Sequence, residues 1–140
     1  VKDITLSRDG RFLYVLTEGR PVPLALDPSR AGSPTPVLDR LPGGDMSRAT
    51  RLLYTDFLLS RWLCLLMPAE DSIALIDLNS REAHIVRVGQ EPTAFVAVTY
   101  DELVFVANKG SNSLSVVSLT QRAVVDTVDV RSRPVLLALP

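Results

Sequence analysis

Apolar residues in this chain come in short runs rather than helical stripes. Phe12-Leu13-Tyr14-Val15-Leu16, Trp62-Leu63-Cys64-Leu65-Leu66 and Leu103-Val104-Phe105-Val106-Ala107 are the clearest. Each is about one strand long, and turn-forming residues follow closely. In the last third the pattern predicts strands over 93–98, 103–108, 113–119 and 123–130. Thr99-Tyr100-Asp101-Glu102, Lys109-Gly110-Ser111-Asn112 and Thr120-Gln121-Arg122 separate them. Gly, Asn and Asp suit tight connections because they tolerate left-handed backbone angles. Strands repeating every ~8–12 residues predict an all-β chain.

Strand chemistry varies within this unit. The second strand is apolar at successive positions, as expected where both sheet faces are covered; a strand with one wet face would alternate. The fourth strand is mixed, with Asp126, Thr127 and Asp129. Charge there fits an outer edge and discourages stray pairing. Residues 52–67 are Leu-rich and open to a helical reading, since Leu favours helix. Ten prolines, with strings such as Pro21-Val22-Pro23 and Pro34-Thr35-Pro36, disfavour helix elsewhere.

The same unit recurs. Shifted by 41 residues, Asp71-Ser72-Ile73-Ala74-Leu75-Ile76-Asp77-Leu78 lies over Asn112-Ser113-Leu114-Ser115-Val116-Val117-Ser118-Leu119. Trp62 to Leu66 falls on Leu103 to Ala107, and Arg81 on Arg122. One extra residue later, Gly89-Gln90-Glu91-Pro92 meets Arg131-Ser132-Arg133-Pro134. A third copy lies 50 residues upstream of the second, with Phe12 to Leu16 over Trp62 to Leu66. It carries an insertion around 29–34. A period of roughly 40–50 residues is that of a four-stranded propeller blade. The expected fold is therefore all-β: a β-propeller segment of about three four-stranded antiparallel blades, open and not self-closing. The blades are expected at 3–44, 45–92 and 93–134, with 135–140 as the first strand of a next blade.

Composition narrows the picture. Nearly half of the 140 residues are apolar, enough for a real core and too many for a disordered chain. The net charge is -1 and no basic stripe appears, so nucleic-acid binding has no electrostatic footprint. No apolar run reaches the ~18 residues of a membrane helix. The chain starts at Val1 without a leader, which reads as a processed product or a piece of something longer.

Candidate chemistry is sparse. His84 is the one histidine, and its repeat equivalent at the 41-residue shift is Val125, so the repeat does not require it. Cys64 lies within an apolar run, where a free thiol behaves as a small hydrophobe. One His and one Cys do not make a zinc site. Asp9-Gly10 reads as a hairpin turn, and Asp27 and Asp77 as turn caps at one repeat position. Gly43-Gly44 lacks the Lys-Ser or Lys-Thr of a phosphate loop. Tyr14, Trp62 and Phe105 occupy core positions of second strands. No catalytic, metal or cofactor site is expected from these residues.

The copies resemble the YVTN family of β-propeller repeats, a bacterial and archaeal relative of WD40 and NHL propellers. The matching residues are Ser7-Arg8-Asp9-Gly10 with Tyr14-Val15-Leu16-Thr17, and Phe105-Val106-Ala107-Asn108 with Gly110-Ser111-Asn112-Ser113. Ala74-Leu75-Ile76-Asp77 and Val88-Gly89-Gln90-Glu91-Pro92 match the later part of the repeat. Cys64-Leu65-Leu66-Met67 departs from it. The resemblance implies an extracytoplasmic protein: periplasmic, surface-associated or secreted. It implies either a binding scaffold or a propeller subunit of a quinoprotein, haem or lactonase-type enzyme.

Three blades do not close a ring, which usually holds about four to eight. Two apolar blade faces are left bare, so a protein partner or a second copy is expected to cover them. The leading expectation is a non-catalytic scaffold or binding module that assembles in an envelope or extracellular complex. The competing one is an enzyme subunit whose active site other chains complete. By analogy with propeller ligand sites, the partner-facing turns are Glu18, Arg20, Glu70, Asp71, Lys109, Ser111 and Asn112.

Overall fold

A computed structural model gives the chain's architecture, and residues 1–17, 21–25, 41, 43–98 and 100–130 are described. Among them the regular structure is strand, with two single 3-10 turns. The first sheet holds β1 (Asp3–Leu6), β2 (Phe12–Leu16) and β3 (Pro21–Ala25). The second holds β4 (Arg51–Phe57), β5 (Ser60–Met67), β6 (Ser72–Asp77) and β7 (Ala83–Arg87). The third holds β8 (Pro92–Val98), β9 (Leu103–Asn108), β10 (Ser113–Ser118) and β11 (Ala123–Asp129). Every pairing is antiparallel between chain neighbours. The expected fourth strand of the first copy, its insertion, Asp27 and the final strand fall outside the described residues.

The Leu-rich stretch is a hairpin, not a helix. β4 and β5 pair from Arg51 opposite Leu66 to Phe57 opposite Ser60, and Leu58-Leu59 make the connection. Tertiary cover overrides Leu's helical preference here. Leu63, Leu65 and Met67 join Tyr14, Leu16 and Leu52 in one core layer. Trp62, Cys64 and Leu66 join Val104, Val106 and Val117 in the other. The middle sheet is thus covered on both faces, which accounts for the unbroken apolar run of β5. Each fully buried aliphatic side chain in these layers contributes roughly 1.5–3 kcal/mol.

Strands of equal rank lie side by side across the layers, β1 against β4, β4 against β8 and β7 against β11, and β8 also packs on β5. Side chains fasten the junctions. Asp3 Oδ2 accepts from the Leu52 amide at 2.9 Å, and Thr5 Oγ1 from the Tyr54 amide at 3.3 Å. The Tyr14 and Tyr54 rings stack at 5.8 Å. Arg8 pairs with Asp56 at 3.3 Å. Between the second and third sheets, Phe57 meets Tyr100 edge-on at 5.9 Å, and the Arg122 guanidinium lies 5.8 Å from the Trp62 ring centre.

The repeat extends to the backbone. Asp71 and Asn112 share a left-handed φ of 51°, while Arg81 and Arg122 have 62° and 55°. The Arg81 amide donates to the Asp77 carbonyl at 2.7 Å, and the Arg122 amide to the equivalent Ser118 carbonyl at 2.8 Å. The extra residue of the third copy is a bulge: Val116 opposes Asp126 while Val117 opposes Val124, leaving Val125 over. Since Leu75 opposes His84, the paired equivalent of His84 is Asp126, which corrects the assignment to Val125.

Local chemistry explains the turns. Asp9 Oδ1 accepts from Ser7 Oγ at 2.7 Å and from the Arg11 amide at 3.0 Å, with Gly10 at φ 72°. The Arg11 amide and then the Ser7 hydroxyl hold the Asp9 carboxyl below its ordinary range. Asp77 Oδ1 likewise accepts from the Asn79 amide at 2.8 Å, capping the turn after β6. Tyr14 and Trp62 are buried as expected, but Phe105 is only half-buried. It alternates with Val104 and Val106, so it points away from the second sheet. On the first sheet Ile4 and Leu6 alternate with Asp3 and Thr5 and also point outward, 55% and 51% exposed. No described layer covers either outward face, so the three layers form an open propeller segment.

Candidate functional site

The turns that lead out of β5 and β9 meet on one rim. After β5, the 3-10 turn Pro68–Glu70 delivers Asp71. The Asp71 carboxylate accepts from the Glu91 amide at 3.0 Å, and its carbonyl accepts from the Val88 amide at 2.9 Å. The connector 89–91 in turn grips the β9–β10 turn. The Lys109 amide donates to the Glu91 carbonyl at 3.0 Å, and the Gly110 amide to the Gln90 carbonyl at 2.9 Å. Ser111 Oγ accepts from the Gln90 amide at 3.1 Å. Asp71, Lys109 and Ser111, distant in sequence, are therefore fixed to one connector.

Gly89 is required by close approach. A Cβ there would run into Ser111 Oγ and lie 2.7 Å from the Asn108 amide group. Asn108 is fully buried, and its Nδ2 donates to Ser113 Oγ at 3.2 Å and to Ser115 Oγ at 2.9 Å. The Asn112 carbonyl accepts from the Val130 amide at 2.8 Å, which ties this turn to the end of β11. Glu70 is half-buried, and its carbonyl accepts from Ser72 Oγ at 2.7 Å. Lys109 and Asn112 are half-buried and Ser111 is exposed. Glu18 and Arg20 lie outside the described residues.

Sequence reasoning found the turns and missed the connector that joins them. Gln90 and Glu91 read as a link between blades. The available signal was the Val-Gly-x-x-Pro string, whose glycine marks a place where backbone and side chains crowd together.

Elsewhere the reactive groups are remote from the rim or inaccessible. Cys64 is fully buried between the second and third sheets, and burial pushes its thiol up to about 12. His84 sits half-buried on β7 with Nε2 unpartnered. Burial first, then the neighbouring Asp56 carboxylate, raises the Tyr54 hydroxyl well above its ordinary value. Among the described residues no group of three or more His, Cys, Asp or Glu is placed to hold a metal ion. Nor is any helix among them long and apolar enough to cross a membrane.

No protein-family model matches the chain, and no curated protein matches it. Solved structures do. Apo AztD from Citrobacter koseri superimposes with a TM-score of 0.70 at 14% identity, covering 94% of this chain and 34% of that one. Hydrazine synthase from Kuenenia stuttgartiensis gives 0.65 at 18% identity, covering 96% and 37%. The WD40 repeats of RRP9 give 0.69 at 10% identity, covering 91% and 38%. The chain thus spans a little over a third of the length of these proteins. At such identities the likeness concerns architecture, and the architecture it shows for this chain is a β-propeller.

Proposed function

We propose that this chain is a non-catalytic scaffold or binding segment of a larger propeller assembly. The observation that carries this reading is the pair of outward apolar faces, Ile4 and Leu6 on one side and Phe105 on the other, which no described layer covers. Further blades, supplied by another protein chain or a second copy, complete the ring against them. The repeats 3–44, 45–92 and 93–134 are the units of that assembly. The rim turns with Glu70, Asp71, Lys109, Ser111 and Asn112, joined by Glu18 and Arg20, face a protein partner. The fixed hydrogen bonding of Asp71, Lys109 and Ser111 supports this, because a preorganised surface loses less freedom on binding. The YVTN resemblance supports an extracytoplasmic location.

Light scattering coupled to size exclusion tests the assembly. The reading predicts that the 140-residue chain self-associates or elutes with a stoichiometric partner. A stable, monodisperse monomer contradicts it. The competing reading, an enzyme wall completed by other chains, draws support from solved propellers such as hydrazine synthase and dihydro-heme d1 dehydrogenase NirN. A haem, quinone or metal retained through purification would favour that reading instead.

A further inference from the structure

We propose that the tip of the β4–β5 hairpin is a contact surface for a second copy of this chain, docked rim to rim about a two-fold axis through the tip. Leu58 and Leu59 are 86% and 89% exposed there, and Tyr100 on the neighbouring turn is 75% exposed. Phe57, next to Leu58 in the chain, meets Tyr100 edge-on and joins them into one apolar patch. Leu58 holds a left-handed φ of 55°, a conformation that suits Gly or Asn better. The tip is also braced. Asn79 Nδ2 donates to the Leu59 carbonyl at 2.7 Å, and Arg61 Nε and Nη2 hold Asn79 Oδ1 at 3.2 and 3.1 Å. An exposed apolar knob fixed in one shape has the form of an interface anchor, because little freedom is left to lose on docking.

Charge selects the occupant. The Arg8–Asp56 ion pair sets the β1–β2 turn on one flank of the tip, and the Phe57–Tyr100 contact sets the β8–β9 turn on the other. The first flank carries Arg8, Asp9 and Arg11, an excess of positive charge, and the second carries Asp101 and Glu102 and is negative. On the hairpin itself Asp56 and Arg61 balance. A two-fold axis through the tip turns each flank onto the opposite flank of the other copy, basic against acidic, with the leucines at the centre. One surface then meets itself, as an isologous interface requires. Docking the other way round sets like charge on like charge, which disfavours it. Arg11 and Asp101 are both exposed, and Arg11 pairs only loosely with Asp9, at 3.9 Å. An anionic bilayer would attract one flank and repel the other. The apolar centre is small beside a standard interface, so the dimer is weak and concentration-dependent.

Sedimentation velocity of the full chain over a concentration series at low salt tests this. Self-association is expected, and Leu59→Ser should weaken it at least about tenfold. Arg11→Glu and Asp101→Lys should each weaken it about three- to tenfold. An equimolar mixture of those two variants should recover the original affinity, because each altered charge then faces its opposite. All three positions are exposed in turns, where such substitutions leave folding intact. Absence of self-association, indifference to Leu59→Ser, or a mixture that associates no more tightly than either charge variant alone would overturn the proposal. Association through the blade faces that carry Ile4, Leu6 and Phe105 is insensitive to these substitutions, so the two readings fail separately.

Discussion

The Asp71 carboxylate accepts the Glu91 amide at 3.0 Å, across 20 residues, and so ties the turn after β5 to the connector that leads into the third sheet. The bond fixes the connector that also holds Lys109, Gly110 and Ser111. Asp71→Ala should therefore loosen the whole rim. The cost is expected at about 1 kcal/mol, within the range of a hydrogen bond to a charged group and reduced because this one is exposed. Urea unfolding measures it. Asp71→Asn, which keeps an acceptor, should recover part of the loss.

Leu58 presents the opposite case, a residue its own position disfavours. It holds a left-handed φ of 55° at the tip of the β4–β5 hairpin and is 86% exposed. A side chain with a Cβ pays for that conformation, and this one buries little in return. Leu58→Gly should stabilise the chain by about 0.5–1 kcal/mol in thermal or urea unfolding. A loss of stability would show that the leucine makes a contact in the assembled protein.

Cys64 reports on the junction between the second and third sheets. The thiol is fully buried there, so a thiol reagent should modify it only after the layers part. Native-state labelling should be slower than labelling in denaturant by orders of magnitude. The thiol also links stability to pH. Its folded value, about 12, lies above the unfolded one, so between them the folded chain binds more protons. This contribution is fully present below pH ~8.5 and is lost as pH rises toward the folded value. Cys64→Ala should flatten that alkaline decline.

Much of the architecture was legible because the blade repeats. Leu103–Asn108 was expected as a strand and is one, and the 41-residue register between Asp71 and Asn112 survives in their shared φ. Local pattern failed where tertiary cover decides. Leucines in 52–67 suit helix and strand alike, and only layers on both sides of β5 separate the two. Nothing about Leu58-Leu59 signals a turn, because neither residue favours one. Phe105 looks like a core residue from its strand, yet burial depends on whether another layer lies beyond the third sheet. The rim was half legible: turn residues mark Lys109 to Asn112, while the bonds to Gln90 and Glu91 depend on how adjacent blades stack.

Native-state hydrogen exchange, resolved by residue, tests the layered arrangement most directly. Amides of β5 and β6, enclosed by apolar side chains on both faces, should exchange slowest, near the global unfolding limit. Those of β1 and of the exposed edge strand β11 should exchange fastest among the strands. Equal protection of β11 and β6, or a fast-exchanging β5, would contradict a middle sheet held between two others.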